Sequence, residues 1–206
     1  MPFVTFEGVE GCGKSTQLHL AAERLRVARR EVLETREPGG TGIGEQIREI
    51  LMDTRHDHLD PVAEWLLYEA DRRQHVRELL QPALDRGVFV LCDRYSDATE
   101  AYQQAGRGLD AGLVRLVDAC ARDGLLPDLT LLYDLDPVES LERARRRDGS
   151  LGRFEGADLA FHRRVRSAYL SIAARERERV RVLRAEGPAE RVFDETWRCL
   201  AERFAL

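Results

Sequence analysis

Between a short apolar run at residues 2–6 and an amphipathic stretch at 15–29 lies GVEGCGKST, residues 8–16. Gly8, four further residues, then Gly13, Lys14 and Ser15 satisfy the spacing GxxxxGK[ST], a pattern that carries meaning only between a strand and a helix, and that is where it falls. The physical demand is narrow. Glycines let successive backbone N–H groups turn toward one oxyanion, and the helix starting near Lys14 adds the positive end of its dipole. A chain built this way needs a buried strand, a loop at its carboxyl end and a helix packed back on the sheet. The loop therefore predicts an α/β fold and a phosphate site together.

Lys14 is the only lysine, and the other 31 of the 32 basic residues are arginine. Against that preference the exception is informative. A compact ammonium on a flexible stem can follow a phosphoryl group from donor to acceptor, where the broad guanidinium fork would crowd the loop. On this reading Gly8, Val9, Glu10, Gly11, Cys12, Gly13, Lys14, Ser15 and Thr16 surround the phosphates of a nucleoside triphosphate, and Ser15 offers its hydroxyl to Mg²⁺. Cys12 reads as a small residue in the loop. A lone lysine also leaves no place for the NKxD or TKxD element that reads guanine, which argues against a GTPase.

Apolar runs at 2–6, 31–35, 88–92, 129–133 and 180–183 alternate with helical patterns at 15–29, 43–52, 61–84, 137–147, 158–177 and 189–204. That alternation predicts a three-layer α/β/α arrangement of P-loop NTPase type, with helices on both faces of a central five-stranded parallel sheet. On the long 61–84 helix, Trp65, Leu66, Tyr68, Ala70, Val76, Leu79 and Leu80 take the apolar positions. The run at 88–92 ends on Asp93, which would place a carboxylate beside the loop at the carboxyl edge of the sheet. With 206 residues and no Pro/Gly/Ser-rich linker, one domain over 1–206 is expected. Within it, Arg143, Arg145, Arg146, Arg147 and Arg153 surround a glycine-containing loop at 148–156. They suggest a short mobile lid at about 143–157 whose cations neutralise charge on a transferred phosphoryl group.

The balance of 37 acidic against 32 basic residues, a formal charge of -5, is well mixed and argues against a nucleic-acid partner. Four cysteines without CxxC spacing suggest neither a zinc site nor a disulfide framework. No signal segment and no long uncharged apolar window is evident, so a soluble cytoplasmic protein without membrane contact is expected. His56 and His58 fall in a polar loop and read as solvated, whereas His75 and His162 fall on helices and read as structural.

At this point GVEGCGKSTQ, TREPGGTGIGEQIR, LLYEADRRQHV, DRYSDATEAYQQAGRGL and RFEGADLAFHRRVRSAYL, in that order along the chain, resemble the thymidylate kinase family. The resemblance implies phosphoryl transfer from ATP with Mg²⁺ to dTMP, for dTTP biosynthesis, by a homodimer. It implies the bacterial type, in which the catalytic arginine comes from the lid. Arg153 and then Arg147 are the candidates, acting with Lys14 and with Asp93 on the metal beside Ser15. It further implies that Arg94 clamps the dTMP phosphate, with Glu37 and Arg48 around it. Glu10 would lie near the 3′-hydroxyl and Tyr102 against the 2′ position. Tyr68 would stack on the base, where the family usually has phenylalanine, while Arg72, Thr99 and Gln103 read its edge. Gly152 stands where an aspartate is frequent before the lid arginine. Another nucleoside monophosphate kinase with different base choice and a non-catalytic nucleotide-binding module are the alternatives.

Overall fold

The computed structural model describes residues 2–148, 153 and 157–206. Five strands, β1 (Phe3–Glu7), β2 (Val32–Arg36), β3 (Phe89–Asp93), β4 (Leu129–Asp134) and β5 (Val180–Arg184), form one parallel sheet in the order β2-β3-β1-β4-β5. The three central strands are buried on both faces, as a continuous apolar run requires. Along β3, Phe89 and Leu91 join a core with Leu18, Ala22 and Leu25 of helix α1 (Lys14–Val27), while Val88, Val90 and Cys92 face Val76, Leu80 and Leu84 on the other side.

Helices α2 (Gly42–Met52), α8 (Leu159–Arg175) and α9 (Ala189–Phe204) fall where the pattern puts them. The expected 61–84 helix is three pieces end to end: α3 (Pro61–His75), a π-helical turn at Val76–Leu80, and α4 (Gln81–Asp85), which carries Pro82. A proline has no N–H for the regular ladder, and the wider turn before it absorbs that loss. Asp60 accepts from the N–H groups of Val62 and Ala63 and caps α3.

Between Cys92 and Leu129, where the apolar pattern assigns no element, stand α5 (Ser96–Thr99), a π-helical segment Glu100–Gly106, and α6 (Ala111–Ala121). Helix α7 (Pro137–Asp148) leads toward the expected lid. Residues 149–152 and 154–156 of that lid, with Gly149, Gly152 and Gly156, lie outside the described residues, as does the side chain of Arg147.

One expectation about α3 fails on which face is inside. Leu66 is 47 % exposed and Ala70 is also exposed, whereas Glu64, Glu69, Asp71, Arg72 and His75 are buried. Apolar periodicity misleads here because the inward face carries charges that meet partners from other segments, with Arg72 among them lining a cavity. Among the described residues no helix is long and apolar enough to cross a membrane.

Candidate active site

The phosphate loop leaves β1 at Glu7 and enters α1 at Lys14. Gly8 has φ 139°, and a Cβ there would lie 2.6 Å from the Tyr133 carbonyl oxygen; Gly11 has φ 77°, and its Cβ would meet the Ser140 carbonyl. Only glycine satisfies both the backbone angle and the close approach. Gly13 precedes α1 without a side-chain cap, and no acidic residue occupies the first turn, so the helix's leading N–H groups face the loop with positive potential. Lys14 is 7 % exposed, and its Nζ donates to the carbonyls of Val9 (3.0 Å) and Gly8 (3.2 Å). Cys12 is buried beside it, and burial pushes its thiol up against the opposing influence of Lys14 and Arg94, the reverse of a reactive thiolate.

Parallel register puts Asp93 opposite Phe6, level with the start of the loop. Ser15 Oγ donates to Asp93 Oδ2 at 2.6 Å. The two oxygen-bearing groups singled out from the sequence thus meet across 78 residues of chain.

The next residue, Arg94, has φ 71°, a left-handed conformation that costs a non-glycine residue energy and is held by what the side chain reaches. Its Nη2 donates to Glu10 Oε1 (2.8 Å) and Tyr102 Oη (3.0 Å), and Nη1 donates to Tyr169 Oη (3.2 Å). Tyr102 also donates to Glu10 Oε1 at 2.7 Å. Burial alone would raise the Glu10 carboxyl; Arg94 and Lys14 outweigh it and hold the group below the usual range. Behind them Glu7 is fully buried, accepting from Tyr95 N–H (2.7 Å) and Tyr169 O–H (2.7 Å). Its pKa is pushed up to about 8, first by burial and then by Asp97, against the pull of Arg94. Glu7 and Tyr169 are site residues that the sequence reading leaves unassigned. The available signal was a charged residue closing an otherwise apolar strand.

A second arginine centre lies under α3. Arg72 is 2 % exposed and donates from Nε to Glu37 (2.9 Å), from Nη1 to Thr99 Oγ1 (2.9 Å), Glu69 (3.1 Å) and Asp118 (3.1 Å), and from Nη2 to the Tyr95 carbonyl (3.1 Å). Glu37 is held on its other oxygen by His75 Nδ1 at 2.9 Å. Arg48 donates to the Pro38 carbonyl at 2.9 Å. Glu37 is thus paired on both carboxylate oxygens, by Arg72 and by His75.

One cavity of about 200 Å³ joins these parts. Of the residues expected to bind acceptor, Glu10, Glu37, Arg48, Tyr68, Arg72, Arg94, Thr99, Tyr102 and Gln103 all line it, together with Lys14, Ser15 and Asp93. Met52 and Ala98 supply apolar wall that the sequence reading does not single out. Burial, and after it Glu64, pushes the Tyr68 phenol up, so it is a neutral hydroxyl. Arg153 is not brought to Lys14. Its Nη1 lies 2.7 Å from Glu64 Oε2, and Nε donates to the His56 carbonyl at 3.1 Å, with the side chain 5 % exposed.

The cavity thus has the phosphate loop at one end and Tyr68 with buried polar neighbours at the other. Residues 6–196 match the family model described as thymidylate kinase. The chain is 50 % identical over 201 residues to the thymidylate kinase of Deinococcus radiodurans, covering 98 % of this chain and 97 % of that protein. It is 52 % identical over 179 residues to that of Trichlorobacter lovleyi, covering 84 % of each. A crystal structure of thymidylate kinase from Ehrlichia chaffeensis superposes with a TM-score of 0.80 at 32 % identity, over 97 % of this chain and 98 % of that one. Similarity of this depth over nearly the whole length, on a fold whose cavity is lined by the residues the motifs select, means that the chain belongs to the thymidylate kinase family.

Proposed function

We propose that this chain transfers the terminal phosphoryl group of ATP to the phosphate of dTMP, yielding ADP and dTDP for dTTP synthesis. The observation that carries the reading is the continuity of one cavity from Lys14, Ser15 and Asp93 to Tyr68, Arg72 and Gln103. Two nucleotides entering from its two ends meet phosphate to phosphate, which converts a bimolecular encounter into an oriented one.

The loop N–H groups and the α1 N-terminus cradle the donor phosphates, and Lys14 exchanges its carbonyl partners for the phosphoryl in flight. Ser15 and Asp93 offer a hydroxyl and a carboxylate, hard oxygen donors that suit Mg²⁺, and they would hold it there. When bound, that ion neutralises charge shared between donor phosphates. Arg94 and Arg48 hold the acceptor phosphate, with Glu10 fixing Arg94 and standing near the sugar. Tyr68 provides the stacking face, and Arg72, Thr99 and Gln103 the polar edge. Arg153, with Arg147, supplies the lid charge, and for Arg153 this requires leaving Glu64 as the 143–157 segment closes on ATP.

The test is ADP release measured with dTMP, dUMP, dCMP, dGMP or no acceptor. Turnover that depends on an acceptor and is fastest with dTMP is expected; turnover indifferent to dTMP would remove the kinase reading, and preference for another base would replace the substrate.

The same reading includes a homodimer. Ile43 and Ile50 of α2, Val62 and Leu66 of α3, and Leu113 and Leu116 of α6 are exposed on three neighbouring helices, an apolar surface that a second copy would cover. Sedimentation equilibrium is expected to give twice the chain mass, and a monomer at micromolar concentration would exclude this surface as a stable interface. A cytoplasmic setting fits the substrates and the free state of Cys12, Cys92, Cys120 and Cys199.

A further inference from the structure

The base end of the cavity rests on a buried carboxylate to which the proposed reaction gives no task. Glu64, in the first turn of α3, is 0 % exposed. Its Oε1 accepts from Gln103 Nε2 (3.2 Å) and Arg107 Nε (3.2 Å); its Oε2 accepts from Arg107 Nη2 (3.0 Å) and lies 2.7 Å from Arg153 Nη1. Two guanidinium groups fix the carboxylate in place, and a carboxylate facing them is an acceptor only.

This constrains Gln103. An amide can present either its NH₂ or its carbonyl to a neighbour, but to an acceptor-only neighbour it can present only the NH₂. The carbonyl oxygen is thereby turned away from Glu64, and Gln103 is among the residues lining the cavity. Its position is further confined by its place in the π-helical segment Glu100–Gly106 and by near-complete burial, at 2 % exposure. A base arriving at this edge meets an oriented hydrogen-bond acceptor. The imide N3–H of thymine or uracil can donate to it. The ring N3 of cytosine is itself an acceptor and would oppose lone pair to lone pair, in a site too buried for water to relieve the mismatch.

We infer that Glu64 is a positioning residue for base selection, locking the Gln103 amide so that the acceptor site takes an imide-bearing pyrimidine nucleotide and rejects one with a ring acceptor at the same place. This rests on the acceptor reading above and adds to it a residue that does not line the cavity.

The experiment measures calorimetric affinity for dTMP, dUMP and dCMP without ATP, so that any effect on Arg153 in phosphoryl transfer does not enter. Glu64→Gln can donate as well as accept and frees Gln103 to flip. It is expected to reduce the dTMP-to-dCMP affinity ratio by roughly tenfold or more, leaving the dTMP-to-dUMP ratio unchanged because those bases share the imide edge. In a Gln103→Met background, Glu64→Gln should move the ratio no further, which a merely structural role would not produce. Glu64→Asp, which keeps an acceptor-only group, should retain selectivity even at lower affinity.

Should Glu64→Gln fail to fold, the pair Glu64→Gln/Arg107→Gln, which removes a stranded guanidinium together with the carboxylate, is expected to show the same loss. A folded Glu64→Gln or paired variant with an unchanged dTMP-to-dCMP ratio overturns the inference while leaving the substrate reading intact. Wild-type protein that does not prefer dTMP to dCMP overturns both.

Discussion

Lys14→Ala is expected to lower kcat by roughly three orders of magnitude or more, with the fold retained and the affinity for dTMP changed by no more than about threefold. The asymmetry follows from geometry. Lys14 is buried at the first residue of α1, and its ammonium bonds to the carbonyls of Gly8 and Val9. Each of those carbonyls belongs to the rim of the loop that would hold the donor phosphates, so the ammonium has only to swing from loop oxygen to phosphoryl oxygen. What the substitution removes is charge at the transferring group, an interaction worth most in the transition state. The stability lost with two neutral carbonyl partners is about 1–2 kcal/mol, since solvent enters the loop to meet them.

Lys14→Arg is expected to fare little better, because a broad planar fork cannot follow a moving phosphoryl group as a compact ammonium on a flexible stem does. Steady-state ADP release with dTMP, run beside circular dichroism and calorimetric titration of dTMP, checks both halves. Lys14→Ala protein that keeps more than about a tenth of wild-type kcat would remove Lys14 from the transition state.

What could be read from the chain was what short-range rules control. The loop, the strand before it and the helix after it follow from glycine spacing and apolar periodicity. Asp93 follows from the abrupt end of an apolar run, because parallel strands end level with one another at the edge where ligands bind. The cavity wall was legible for a different reason, in that family motifs carry residues together whatever separates them in sequence.

The unread parts share one property. Leu66 and Ala70 point outward while Glu64, Glu69, Asp71 and Arg72 point inward, because a charge is buried only where partners from other segments meet it. Those partners, Thr99 and Asp118 for Arg72 or Arg107 for Glu64, lie 27 to 46 residues away. No local pattern encodes such a meeting. The helical character of Glu100–Gly106 and Ala111–Ala121 was hidden likewise, since one carries polar site residues inward and the other leaves Leu113 and Leu116 on the surface.

Arg94→Ala and Arg94→Gly, taken as a pair, separate what Arg94 does for the acceptor from what its backbone costs the fold. Either change removes the guanidinium that joins Glu10, Tyr102 and Tyr169, and each is expected to raise KM for dTMP roughly 100-fold by removing charge-assisted bonds to its phosphate. Both also leave Glu10, 14 % exposed, with the charge of Lys14, the Tyr102 hydroxyl and His162 at 3.9 Å to compensate it, and losing one partner of such a pair costs about 3 kcal/mol. The two then diverge. At φ 71° a Cβ is penalised and a glycine is not, so Arg94→Gly should be more stable than Arg94→Ala by about 1 kcal/mol. Chemical denaturation of the two variants measures that difference, and dTMP titration measures the shared loss of affinity. Equal stability would mean that the left-handed backbone at Arg94 carries no strain, whereas dTMP affinity near the wild-type value in both would move the acceptor phosphate from Arg94 to Arg48 alone. The arrangement makes physical sense only if the side chain's three partners outweigh a strained backbone.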